Sequence, residues 1–248
     1  MKIYVLTGLI LFILGLLFLV DVVRFRTKTF LFLKFGLIFV GIVFGLDAVV
    51  LISNPAVFRQ VPLGFLIFGN LVGIAKIMIF VTAGLYYCSL HNFCPLPIMS
   101  GQKTISPRYV KILTLGFMAA FTYSYLLFKI TDPQIPATLK IQKQALSPFV
   151  TALVMLELAI VEEIIFRLGI QNFIVKVFNL ENRQYWIAIL ITSFFWAASH
   201  LGTLDPAWVK FVQVFPVGIM LGFFFKKYGM ESTLFVHGAY NIGMAMIS

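Results

Sequence analysis

An all-α, polytopic transmembrane helix bundle of about seven or eight spans is the fold class this chain predicts, on three observations. Of its 248 residues 61% are hydrophobic and only 11% charged, against roughly 45–50% apolar and 25% charged in a soluble domain. The mean hydropathy is +1.01. The apolar runs reach the ~20 residues a helix needs to cross the hydrocarbon core and exceed the ~9–11 of a barrel strand.

Taken between charged or proline-bearing breaks, the runs are Ile3–Val20, Phe30–Ile52, Leu63–Leu90, Tyr109–Ile130, Pro148–Phe178, Tyr185–Leu201, Pro206–Phe225 and Met230–Ile247. Lys2 precedes the first as in a secretory signal. No small-residue cleavage site follows, and the run leads into Asp21 and Arg24, so a retained first helix is expected. Ser147-Pro148 and Asp205-Pro206 each read as a capping side chain followed by proline at the first helical position, where its missing N–H costs nothing. No repeat, low-complexity tract or soluble linker interrupts the pattern. A single membrane domain over residues 1–248 is therefore expected, with 1–147 carrying no recognised motif and 148–248 bearing the polar ones.

Basic residues set the expected orientation. Arg24, Arg26 and Lys28 follow the first run, Lys103, Arg108 and Lys111 surround the third connection, Lys176 and Arg183 the fifth, and Lys226 and Lys227 the seventh. Placing those loops in the cytoplasm puts the amino terminus outside, most naturally in the cell membrane. Lys140 and Lys143 run against this, since they would face outward. The net charge of +10 suits juxtamembrane contact with anionic lipid, and no basic stripe with interleaved aromatics points to nucleic acid. Membrane lipid is the expected partner.

Cys88, His91 and Cys94 form Cys-x2-His-x2-Cys, three soft ligands where a structural zinc site takes four, and no special role is expected of them. Lys34, Asp47, Lys76 and Glu157 lie inside apparent spans, where charges pair or face an aqueous path. Lys34 and Asp47 are expected to neutralise each other across neighbouring helices. A transporter would show a repeat with broken helices at matching positions, and none is visible.

The chemistry is concentrated in the last third. Neighbouring helical residues point about 100° apart, so Glu162 and Glu163 must do different jobs. Glu163 pairs with Arg167 four residues on, acid first, which leaves Glu162 free to act as a general base on water. The same residues also read as a charge cluster tying helices together. His237 and Asn241, four apart, share one face of the last helix, where an imidazole and an amide stabilise an oxyanion or simply bind another helix. Trp196 sits one turn before His200 and offers it an aromatic shelf.

Glu-Glu-x3-Arg, aromatic-x3-His and His-x3-Asn, in that order on consecutive spans, resemble the motifs of the CPBP family, also called the Abi or type II CaaX prenyl endopeptidase family. The resemblance covers about Pro148 to Asn241, and Trp196 stands where the family's pattern has phenylalanine. It implies an intramembrane endopeptidase acting on a peptide or protein substrate that enters from the membrane, prenylated or otherwise lipid-anchored. Glu162 would activate water, while His200, His237 and Asn241 would orient water and stabilise the oxyanion. Glu163 fills a further motif position, with Arg167 and Trp196 as support. No cofactor is favoured; the alternative is zinc held by Glu162, His200 and His237, two imidazoles and a carboxylate with an open position. Some family members act in bacteriocin self-immunity, so a non-catalytic immunity or chaperone-like scaffold is the other functional class.

Overall fold

A computed structural model of the protein describes residues 2–53, 63–136 and 146–247. The described residues form helices joined by short connections. They are α1 (Lys2–Arg24), α2 (Arg26–Ser53), α3 (Leu63–Leu90), α4 (Pro107–Thr131), α5 (Pro148–Glu162), α6 (Asn172–Val177), α7 (Tyr185–Ser199), α8 (Ala207–Tyr228) and α9 (Met230–Ile247). A π-helical stretch, Glu163–Gln171, joins α5 to α6, so the expected fifth span is one rod wound in two ways. The only extended pairing among the described residues is one isolated bridge, so the bundle is all-α.

Among the described residues four helices are long and apolar enough to cross a membrane by length and composition: Phe32–Ser53, Phe68–Leu90, Pro107–Thr131 and Ala207–Tyr228. Many of the large exposed side chains on α1, α2 and α4 are apolar, among them Phe12, Leu37, Leu115 and Leu126. Such surface is stable only against lipid. The protein is a membrane protein.

Local sequence explains most boundaries. Ser147 caps α5, its hydroxyl accepting from Val150 N–H at 3.3 Å, with Pro148 at the first helical position. Ser106 and Pro107 do the same for α4. Asp205 does not cap α8, contrary to expectation. Pro206 is the cap residue, because the Asp205 backbone is committed to a two-bond bridge with Gln134, at 2.8 and 2.9 Å. Inside α8, Pro216 has no N–H for the Val212 carbonyl. The Tyr123 hydroxyl of α4 donates to that carbonyl instead, at 2.8 Å.

The Lys34–Asp47 pair does not form. Both lie on α2, and a separation of 13 positions is about 20 Å along one helix at 1.5 Å per residue. Asp47 instead meets Glu157 of α5 within hydrogen-bond reach, with Lys76 of α3 as the neighbouring cation. Lys140 and Lys143 lie outside the described residues. Cys88 is buried in the core and Cys94 faces Ser100 at 3.2 Å, so they do not converge with the exposed His91 on a metal site. Burial and the nearby Lys226 ammonium hold His91 below the usual imidazole range.

Two further features fix the motif-bearing helices. Phe18, Phe80, Tyr87 and Phe173 join α1, α3 and α6 in one aromatic cluster, which Asp21 closes with Tyr87 and Lys176. The π-helical stretch lies directly against α3. A Cβ on Gly84 would stand 2.6 Å from the Leu168 carbonyl oxygen, so only glycine permits this approach.

Candidate active site

Glu162 ends α5, and the pitch change that follows it distributes the next side chains around the rod. Its carboxylate accepts the Trp196 indole N–H at 2.8 Å through Oε2. His200 Nε2 stands 3.6 Å from Oε1. His237 Nε2 stands 3.6 Å from Oε2. Glu162 is therefore not left free but enclosed by one indole and two imidazoles, drawn from α7, the residue just beyond its end, and α9.

The far nitrogens of both rings identify their protons. His200 Nδ1 lies 2.8 Å from the Trp196 carbonyl oxygen, and His237 Nδ1 lies 2.8 Å from Glu163 Oε1. Carbonyl and carboxylate oxygens only accept, so both Nδ1 atoms carry hydrogen. In a neutral ring Nε2 is then a lone pair. Two lone pairs and a carboxylate facing one another at 3.6 Å form a cluster of acceptors. Such a cluster is satisfied by a proton-rich guest such as water.

Glu163 is fully buried, and its role is divided. Its Oε1 receives His237, while its Oε2 is 3.7 Å from Arg167 Nε, an ion pair too long for a hydrogen bond. Arg167 is also completely buried. Its guanidinium lies 5.3 Å from the Trp196 ring centroid and reaches Ser193 Oγ at 3.4 Å. The expected Glu163–Arg167 pairing is present, but the shorter contact of Glu163 is to His237. Trp196 is the hub, with its ring edge-on to His200 and His237 at 5.2 and 5.3 Å between centroids.

Access is one-sided. Glu162 and His200 remain 23% and 20% exposed whereas His237 is 1% exposed, so the cluster opens on the His200 side. Asn241 follows His237 by one turn on α9 and is half-buried. It makes no side-chain hydrogen bond among the described residues, so its amide is uncommitted.

The donors a zinc ion would use here are the two imidazole Nε2 atoms and the Oε1 of Glu162. Trp196 N–H already occupies Oε2 of Glu162, and among the described residues no three His, Cys, Asp or Glu side chains are set to hold an ion.

Lys210 and Gln213 of α8 escaped the sequence reading. Lys210 Nζ donates to Gln213 Oε1 at 2.9 Å. The signal was an ionisable residue inside the Pro206–Phe225 run, with an amide three positions on.

Residues 144–243 match the family model described as Type II CAAX prenyl endopeptidase Rce1-like. A stretch of 82 residues is 33% identical to the sporulation-killing factor biosynthesis protein SkfC of Bacillus subtilis (strain 168). It covers 33% of this chain and 16% of that protein, so the match spans only a small part of its relative. No solved structure matches the chain. The segment from 144 to 243, which holds every residue of the Glu162 cluster, is thus similar to the type II CAAX prenyl endopeptidase Rce1-like family, a match that covers less than half of the chain.

Proposed function

We propose that the protein is an intramembrane endopeptidase that hydrolyses a peptide bond of a prenylated or otherwise lipid-anchored substrate with water activated by Glu162. The observation that carries this reading is the set of three acceptors, Glu162 and two imidazole Nε2 atoms, around one partly exposed point. A water seated there donates one hydrogen to Glu162 and one to His200, turning an oxygen lone pair toward the substrate carbonyl. Glu162 takes the proton as the carbonyl carbon is attacked and delivers it to the leaving amine. His237 takes up a proton from bulk solvent before the attack, its charge balanced by Glu163, and the Nε2–H so formed donates a hydrogen bond to the tetrahedral oxygen, joined by the Asn241 amide. Trp196 holds the Glu162 carboxylate in place.

An apolar groove of about 560 Å³ supports a lipid-anchored substrate. Phe166, Phe173, Phe195 and Ala198 help to line it, and Phe195 and Ala198 share α7 with Trp196. The basic connections support an outward amino terminus in the cell membrane.

The test is Glu162→Gln in purified protein and in cells. Cleavage of the substrate should fall about 10²- to 10⁴-fold, the usual share of a general base, at unchanged abundance. Undiminished cleavage by this variant would remove Glu162 as the base, and protection of cells that persists without cleavage would assign the non-catalytic scaffold role instead. Inactivation of the wild type by a strong chelator, reversed by zinc, would replace the metal-free scheme.

A further inference from the structure

The wide pitch of Glu163–Gln171 has to be held at the point where it ends. A π-helix bonds each N–H five residues back instead of four, and such stretches recur at functional sites. Where α pitch resumes, a carbonyl of the ladder is passed over and needs another donor. That point is Asn172, the first residue of α6. Its own N–H bonds to the Gly169 carbonyl. Its side-chain amide donates to the two carbonyls before that one, Leu168 at 2.8 Å and Arg167 at 3.0 Å. An asparagine that bonds the backbone ordinarily competes with a helix, and here the competition serves the change of pitch.

The amide can face only one way. Its Oδ1 accepts the Tyr185 hydroxyl at 3.0 Å, and that hydroxyl accepts from Gln171 Nε2 at 3.2 Å. Turned over, the amide would set its oxygen against two carbonyl oxygens. Asn172, Gln171 and Tyr185 are all buried, so water does not compete for these bonds. Tyr185 opens α7, and the latch thereby ties the rod to the helix that carries Trp196.

What the latch grips is the backbone of Arg167. That guanidinium lies 5.3 Å from the Trp196 ring centroid and 3.7 Å from Glu163 Oε2. The Trp196 N–H in turn holds Glu162 at 2.8 Å. A change of pitch at Asn172 would therefore reach Glu162 through an unbroken series of contacts.

We propose that Asn172, aligned by Tyr185 and Gln171, is a positioning residue for the hydrolysis: its amide fixes the pitch of the rod, and with it the place of Arg167 against Trp196 and of Trp196 against Glu162. The inference rests on the endopeptidase reading and adds to it side chains that touch neither the reacting water nor the substrate.

The experiment measures kcat and KM on a fluorogenic S-farnesylated peptide with purified protein in nanodiscs. In parallel, 5-fluorotryptophan replaces the three tryptophans for fluorine NMR, and the Trp196 resonance is assigned by its loss in Trp196→Phe. Asn172→Leu should lower kcat about 10²-fold, the cost of misplacing a reacting group, leave KM unchanged and shift the Trp196 resonance. Asn172→Gln keeps both amide hydrogens and should recover part of kcat. Tyr185→Phe should lower kcat less and add nothing to Asn172→Leu, as members of one series of bonds behave; it carries the same two readouts if Asn172→Leu does not fold. Tyr123→Phe, which breaks a hydrogen bond between α4 and α8, is the stability control and should leave kcat and the resonance unmoved. A kcat that simply follows the melting temperature across all these variants overturns the inference, and so does a Trp196 resonance that stays in place when the latch is cut. Should the wild type cleave no peptide, the endopeptidase reading fails on its own, and the resonance alone decides whether Asn172 positions Trp196.

Discussion

At the residue scale, the two adjacent glutamates separate by environment. Glu163 is the one acid within ion-pair distance of the buried Arg167 among the described residues, so Glu163→Gln strands a cation in the core. Breaking a buried pair costs about 3–5 kcal/mol, and the melting temperature in detergent should drop accordingly. Glu162→Gln keeps an oxygen for the Trp196 N–H and sits at the exposed edge of the site, so its melt should move far less while activity disappears. Asn241 tests the opposite combination. With no side-chain hydrogen bond to lose among the described residues, Asn241→Ala should leave stability within about 0.5 kcal/mol. Its turnover should fall about 10²- to 10³-fold, the loss typical of one oxyanion donor. A matched loss of stability and turnover would make Asn241 a structural residue.

At the element scale, the π-helical stretch and its contact with α3 decide where Glu162 and Glu163 point. Gly84→Ala forces a Cβ against the Leu168 backbone and should cost about 1–3 kcal/mol of stability, with activity falling as the rod shifts. Gly73→Ala, on the same helix with nothing within 4 Å of the added carbon, is the control and should be neutral or slightly stabilising. Equal melts for the two variants would show that the rod does not depend on this approach. Tyr123 is the second joint, since Tyr123→Phe orphans the Val212 carbonyl that Pro216 leaves unbonded. The expected loss is about 1 kcal/mol, seen as a lowered melt.

At the scale of the whole molecule, orientation is the testable property. Glu181→Cys lies on a connection assigned to the cytoplasm and Gln134→Cys on the opposite side. In a background lacking Cys88 and Cys94, a membrane-impermeant thiol reagent applied to intact cells should label position 134 and reach 181 only after permeabilisation. The reverse pattern would invert the topology. Helical spans, their order and most boundaries were legible in the chain because lipid forces each apolar run to satisfy its own backbone, and Met230–Ile247 is the observed helix residue for residue. The Glu-Glu, Trp-His and His-Asn spacings were legible for a similar reason, since helical periodicity puts each pair on a face. What the chain alone determined was thus a helical membrane protein with a polar cluster in its last third. Tertiary structure decided which partners those groups meet: Glu163 with His237 across two helices, Asp47 with Glu157 rather than Lys34, and Lys210 with Gln213. Contacts between helices depend on rotation and depth within the bundle. Local periodicity carries no record of either, and the change of pitch after Glu162 alters both.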